Sequence, residues 1–190
     1  VTEALDAEKA ALRQAMRAIR AGVSRKEPEA SEALVAHCPA AFFGSGVVAG
    51  YWPTNTEIDP RPLLAALRVS GVSLALPRMA TRVSPVAFLA WNASDTLAPD
   101  AFGIPAPPAI HAILHPRIVL APLLAFDRKG GRLGQGGGHY DRVLARLKPQ
   151  GVLAVGLAFS EQEVAAVPRN EHDQRLDWVI TPSGAINCAG

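Results

Sequence analysis

FDRKGGRLGQGGGHYDR, residues Phe126 to Arg142, is the stretch on which the reading of this chain turns. Six glycines fall within the nine positions 130–138, and Tyr140, Asp141 and Arg142 follow. The apolar residues before it, Ile118 to Ala121 and then Leu123 to Phe126, read as a buried strand, and Tyr140 to Leu147 read as a helix. A glycine-dense turn between strand and helix lets the backbone approach a ligand closely, because no Cβ stands in the way. The helix start adds free N–H groups and a partial positive charge, which together favour phosphate. The stretch therefore reads as a nucleotide phosphate cradle. Its plainer alternative is a glycine linker, which has no use for Arg132, Tyr140, Asp141 and Arg142.

Two common cradles fail the test. A Walker loop needs Lys then Ser or Thr after its last glycine, and counting from Gly131 those places hold Gly137 and Gly138. The dinucleotide fingerprint needs a third Gly or Ala, but Gly134-x-Gly136 leads to His139 and Gly136-x-Gly138 leads to Asp141.

Outward from the cradle, strands alternate with helices. Strands are expected over 46–52, 72–76, 86–91, 117–121, 152–158 and 177–181. Helices are expected over 3–21 (capped by Gly22), 29–37, a segment opened by Pro60 or Pro62 and ended by Gly71, 140–148, and a short 161–166. This order implies a single layered α/β domain, residues 1–190, with a largely parallel central sheet. Ligands in such domains collect where strand carboxyl ends open into loops. Loops 53–59, 92–116 and 127–139 are the candidates, and the proline-rich 99–116 is long enough to suggest function.

Composition narrows the class. A chain of 190 residues and 20.0 kDa, 49% hydrophobic, suits one well-buried core. The longest apolar runs, Ile118 to Phe126 and Val152 to Phe159, are half a membrane span, and the charged N-terminal helix carries no secretory signal. Cys38 and Cys188 form neither a disulfide framework nor a metal-ligand spacing, which fits a reducing cytoplasm. A net charge of +2 is too small to argue for nucleic acid. No His-x-x-x-His, Cys-x-x-Cys or Gly-x-Ser-x-Gly pattern marks a zinc site or a nucleophilic serine.

Several side chains stand out locally. Lys9, Arg13, Arg17 and Arg20 form a basic stripe on the first helix, beside an apolar face of Leu5, Leu12, Met16 and Ile19. Such a stripe is ordinarily a solvated surface. Asp141 and the cluster Asn170-Glu171-His172-Asp173 supply acids that a magnesium–nucleotide complex needs. Capping or solvation is the plainer role for each. Glu57 follows a strand, where a helix N-terminal charge is the bland reading.

Five motifs in order resemble the 5-formyltetrahydrofolate cyclo-ligase (methenyltetrahydrofolate synthetase) family. They are Lys9-x-x-Leu12-Arg13, Glu57-Ile58-Asp59, Phe102-Gly103-Ile104-Pro105, Arg132 to Arg142, and Asn170-Glu171-His172-Asp173 before Asp177. The resemblance implies a NagB/RpiA/CoA-transferase-like fold. It also implies cyclisation of 5-formyltetrahydrofolate to 5,10-methenyltetrahydrofolate that depends on ATP and Mg2+ and releases ADP and phosphate. The alternatives are a folate-binding protein without turnover and another enzyme on the same fold.

By that resemblance Lys9 and Arg13 hold ATP phosphates, and Arg132, Leu133, Gly134, Gln135, Gly136, Gly137, Gly138, His139 and Tyr140 wrap the nucleotide. Glu57 bonds the pterin, Trp52 and Phe102 wall the substrate, and Gln135 to His139 face the formyl group. Asp141 and Asp173 bind magnesium. The partners implied are reduced formylfolate and ATP, with no nucleic acid or membrane, and a monomer or weak oligomer. Two positions depart from the family pattern. His139 stands where a tyrosine is common, which suggests either a cation beside the transferred phosphoryl group or a space-filling ring. Ala106 stands where Glu or Gln is common, which implies a looser substrate loop.

Overall fold

The computed structural model describes residues 2–44 and 46–188. Its centre is a seven-stranded sheet of β1 (Val47–Ala49), β2 (Ser73–Arg78), β3 (Ala87–Ala90), β6 (Ile118–Pro122), β9 (Leu153–Leu157), β10 (Trp178–Thr181) and β11 (Gly184–Asn187). The spatial order is β11-β10-β9-β6-β1-β2-β3. The five inner strands are parallel, and the edge strands β3 and β11 pair antiparallel. The largely parallel α/β sheet expected from the sequence is therefore present. β11, which follows the tight turn at Thr181–Gly184, was not expected.

The period-two alternation of β6 explains the layering. Ile118 and Leu120 face a core with Leu34 of α2 (Ala30–His37) and Leu63, Leu64 and Leu67 of α3 (Arg61–Val69). Val119 and Ala121 face the opposite core with Val143, Leu144 and Leu147 of α4 (His139–Leu147). Ala49, Ala75, Ala121 and Ala154 line that second side, so the helix beds closely on the sheet.

The long strand expected up to Phe126 is interrupted. After Pro122 the chain leaves the sheet and builds a hairpin of β7 (Ala125–Phe126) and β8 (Arg132–Leu133). Asp127, 5% exposed, closes its turn by accepting the backbone N–H groups of Lys129, Gly131 and Val167. Gly130 there has φ +80°, and a Cβ on it would strike the Leu176 carbonyl. The glycine cluster thus does two jobs: Gly130 and Gly131 turn a buried hairpin, and only Gly134 to Gly138 reach a ligand space.

α1 (Thr2–Lys26) packs over this hairpin through Met16, which meets Leu124, Ala125 and Leu133. It runs straight through Gly22, so the expected cap there is absent; nothing within 4 Å of a Cβ at Gly22 makes glycine necessary. Ile19, expected on the apolar face, is 42% exposed, whereas Lys9 and Arg20 are buried. The expected helix 161–166 is only the turn Ser160–Gln162. Val164 N–H donates to the Phe126 carbonyl instead, and the Gln162 amide satisfies the Leu123 and Leu124 carbonyls. The 99–116 segment is not structureless either. β4 (Ala98–Pro99) and β5 (Pro105–Ala106) form a ribbon, and residues 112–114 pair with β3.

Candidate active site

The carboxyl ends of β1, β2 and β6 open into a cavity of about 440 Å³. Tyr51, Trp52, Thr54 and Glu57 enter after β1, Met79 after β2, and Leu123 after β6. The ribbon tip supplies Asp100, Phe102 and Ile104, and α1 supplies Asp6, Lys9 and Arg13. Arg132 to Asp141, together with Asp173, complete the wall. Every residue singled out in the sequence as a site residue lines this one space.

At one end two cations meet two acids. The Lys9 ammonium, on a residue 6% exposed, lies 2.5 Å from Asp173 Oδ2. Arg132, 5% exposed, donates from Nη2 to Asp141 Oδ2 at 2.9 Å, and its buried Nε has no partner among the described residues. Asp141 Oδ1 accepts the Gln174 N–H at 3.2 Å, which draws the 170–174 segment onto the start of α4. Lys9, Arg13 and Arg17 recur at the four-residue spacing that brings side chains together on a helix. Arg13 Nε donates to the Gly134 carbonyl at 3.0 Å, and Arg17 Nε to Gln135 Oε1 at 3.3 Å. α1 therefore grips the glycine loop itself. Gly138 begins α4 in the left-handed region, φ +64°, where a side chain would be strained.

At the other end Glu57 sits in a polar turn. Its Oε2 accepts Thr54 N–H at 2.9 Å and the Thr54 hydroxyl at 3.0 Å. Arg20 Nη1 lies 3.8 Å from Oε1, which accepts no hydrogen bond among the described residues. Burial, then the Glu57 carboxylate, raise the Tyr140 phenol, with Arg132 opposing. The same two causes, in the same order, push Tyr51 well above the ordinary phenol range. Its hydroxyl donates to the Ile58 carbonyl at 2.7 Å. Both phenols are neutral donors beside the acid.

Phe102 meets His139 edge to face, with centroids 4.9 Å apart. Arg142 Nη2 lies 2.9 Å from His139 Nδ1. A guanidinium can only donate, so Nδ1 accepts and the ring proton sits on Nε2. Burial first, then Arg142, lower the His139 pKa below the ordinary imidazole range, with Asp100 opposing. Of the two readings of His139, this geometry favours the space-filling ring over the cation. Ala106 is fully buried in the ribbon, and Asp100 knots its tip by accepting the Phe102, Ile104 and Met79 N–H groups. These bonds tie the 100–104 tip down.

The family model described as the 5-formyltetrahydrofolate cyclo-ligase family matches residues 5–182. The chain belongs to the 5-formyltetrahydrofolate cyclo-ligase family. A cyclo-ligase of that name from Escherichia coli (strain K12) is 31% identical over 141 residues, covering 72% of this chain and 78% of the relative. Another from Mycolicibacterium smegmatis is 30% identical over 174 residues, covering 85% and 89%. The NMR structure of Aquifex aeolicus 5,10-methenyltetrahydrofolate synthetase superposes with a TM-score of 0.81 at 28% identity, covering 96% of this chain and 93% of that one. A Mycoplasma pneumoniae 5,10-methenyltetrahydrofolate synthetase, 20% identical with a TM-score of 0.70 over 92% and 98% of the two chains, shares the fold.

Around this cavity, sequence reasoning missed Tyr51, Asp6 and Asp100 as lining residues and Arg20 behind the wall. Asp6 was legible, one helical turn before Lys9 on the same face. Arg20 was legible too, because positions 9, 13 and 20 fall within about 40° around a 3.6-residue helix. Tyr51 was hidden inside an apolar run that reads only as strand.

Proposed function

We propose that this cyclo-ligase converts 5-formyltetrahydrofolate and ATP to 5,10-methenyltetrahydrofolate, ADP and phosphate. One observation carries the reading: a cationic, glycine-walled end and a carboxylate end with neutral phenols share a single cavity. A polyphosphate suits the first end, and the row of N–H donors on a pterin suits Glu57. In the reaction the formyl oxygen attacks the γ-phosphorus and ADP leaves. N10 then attacks the activated carbon, the ring closes and phosphate departs.

Phosphoryl transfer asks the protein mainly for positioning and charge neutralisation. Lys9, Arg13 and Arg132 supply cations, and the Gly134–Gly138 backbone supplies close approach. Trp52 and Phe102 wall the folate. His139 is a neutral Nε2 donor near the loop rather than a cation.

The acids fit magnesium. The ion takes one or two protein carboxylates and keeps several waters. Asp173 Oδ1 accepts no hydrogen bond among the described residues, and no three His, Cys, Asp or Glu side chains converge among them. Asp141 and Asp173 would hold the ion, which neutralises polyphosphate charge when bound. Among the described residues no helix is long and apolar enough to cross a membrane. The free thiols of Cys38 and Cys188 support a cytoplasmic enzyme acting on small molecules.

The test is the absorbance of the methenyl product with ATP, without ATP, and with EDTA. Product is expected only with ATP and is lost with EDTA. Binding of formylfolate with no product in any arm would mark a sequestering protein instead.

A further inference from the structure

Arg20 is a buried cation that the proposed reaction does not use. It is 3% exposed and lies on the inward face of α1, two turns beyond Arg13. Its Nε donates to Thr56 Oγ1 at 3.1 Å, its Nη1 donates to the Leu123 carbonyl at 3.2 Å, and Nη1 stands 3.8 Å from Glu57 Oε1. The Leu123 carbonyl also accepts the Gln162 amide, so Arg20 is anchored just beyond the end of β6. A guanidinium is planar and stays charged when buried, which lets it serve several acceptors at fixed angles. Its partners on the cavity side are the two residues 56 and 57 of the turn that presents Glu57.

We infer that Arg20 is a positioning residue for the folate end: from behind the cavity wall it holds the 54–57 turn and balances the Glu57 charge. This rests on the reading of Glu57 as the folate acceptor. Two features assign the role to geometry rather than to general stability. Thr54 hydrogen-bonds Glu57 Oε2 on one side while the Arg20 charge stands 3.8 Å from Oε1 on the other, so the carboxylate is flanked from both. Among the described residues Arg20 makes no hydrogen bond to the glycine loop, unlike Arg13 and Arg17 on the same helix. Its effect should therefore fall on folate and spare ATP.

The test uses steady-state KM values for 5-formyltetrahydrofolate and for ATP, with thermal melting of each variant. Arg20→Lys keeps the charge, but an ammonium cannot span Thr56 and Leu123 in the same fork. It should raise the folate KM about 5- to 30-fold, as expected for a misplaced charged hydrogen-bond partner, and leave the ATP KM within about 2-fold. Thr56→Val removes one acceptor with little change in shape and should raise the folate KM about 3-fold. This variant carries the test if Arg20→Lys melts below the assay temperature. In a Glu57→Gln background, Arg20→Lys should add less than about 2-fold, because residues acting through one group are not additive. An unchanged folate KM in both variants, an equal rise for ATP, or a full further rise in the Glu57→Gln background would overturn the inference. If Glu57→Gln alone leaves the folate KM unchanged, the folate reading itself has failed.

Discussion

At the Lys9–Arg132 end of the cavity both acids, Asp173 and Asp141, are already paired with cations, whereas at the Glu57 end Thr54 holds one carboxylate oxygen and the other has no hydrogen bond among the described residues. The first end is a closed set of charges. Magnesium and polyphosphate would bind there by exchange, the ion taking the acids and the phosphates taking Lys9, Arg13 and Arg132. Each buried cation has an acid partner before the exchange and a phosphate partner after it, so burying Lys9 and Arg132 costs less than for lone cations. The second end is open and preorganised, with an acceptor already aimed by its neighbours. On the proposed reading, one site would combine an electrostatic half that exchanges partners with a recognition half already in place.

The largest effect should come from stripping cations from the first half. Lys9→Ala with Arg13→Ala should raise the ATP KM more than about 100-fold, since two charge-assisted hydrogen bonds are lost. Initial rates across an ATP series at saturating folate check this. On the other half, Glu57→Gln should raise the folate KM about 10- to 100-fold, the cost of leaving a pterin donor unpaired. A rise in the ATP KM instead would merge the two halves. Asp173→Asn should be milder, shifting the magnesium needed for half-maximal rate several-fold by weakening one of two carboxylates. A magnesium titration matching the wild type would leave Asp173 as a partner of Lys9 only.

The smallest effect concerns His139. Because its folded pKa is lowered from the ordinary imidazole value, the neutral ring is favoured near pH 7, and the rate at saturating ATP should show no histidine limb above about pH 6.5. The sign for stability follows: the unfolded chain takes up that proton first, so stability declines as pH falls through about 6.5 towards the lowered value. His139→Tyr should keep activity and lose this acid-side decline, measured by melting temperature against pH. A rate that falls between pH 6.5 and 8 in the wild type but not in His139→Tyr would restore the cationic role.

The same contrast governs what could be read in the sequence. The sheet was legible because β1, β2, β6, β9 and β10 are short apolar runs bounded by turn residues. The cradle was legible because glycine density and basic spacing are local signals. The β7–β8 hairpin was not, because Leu123 to Phe126 is as apolar as a sheet strand and only the Asp127 turn diverts it. The inward direction of Arg20 was legible from its place on the helix, but its partners, Thr56 and Leu123, are 36 and 103 residues away and were not. The neutral state of His139 likewise depends on contacts with Phe102 and Arg142 that spacing alone does not disclose.

Crossed calorimetry tests the division of the cavity most directly: 5-formyltetrahydrofolate titrated into the Lys9→Ala, Arg13→Ala protein, and a non-hydrolysable ATP analogue with magnesium titrated into Glu57→Gln. Each variant should bind the ligand of its intact half within about 3-fold of the wild type, as expected for separate sites without shared partners. Loss of formylfolate affinity in the first protein together with loss of nucleotide affinity in the second would contradict the account.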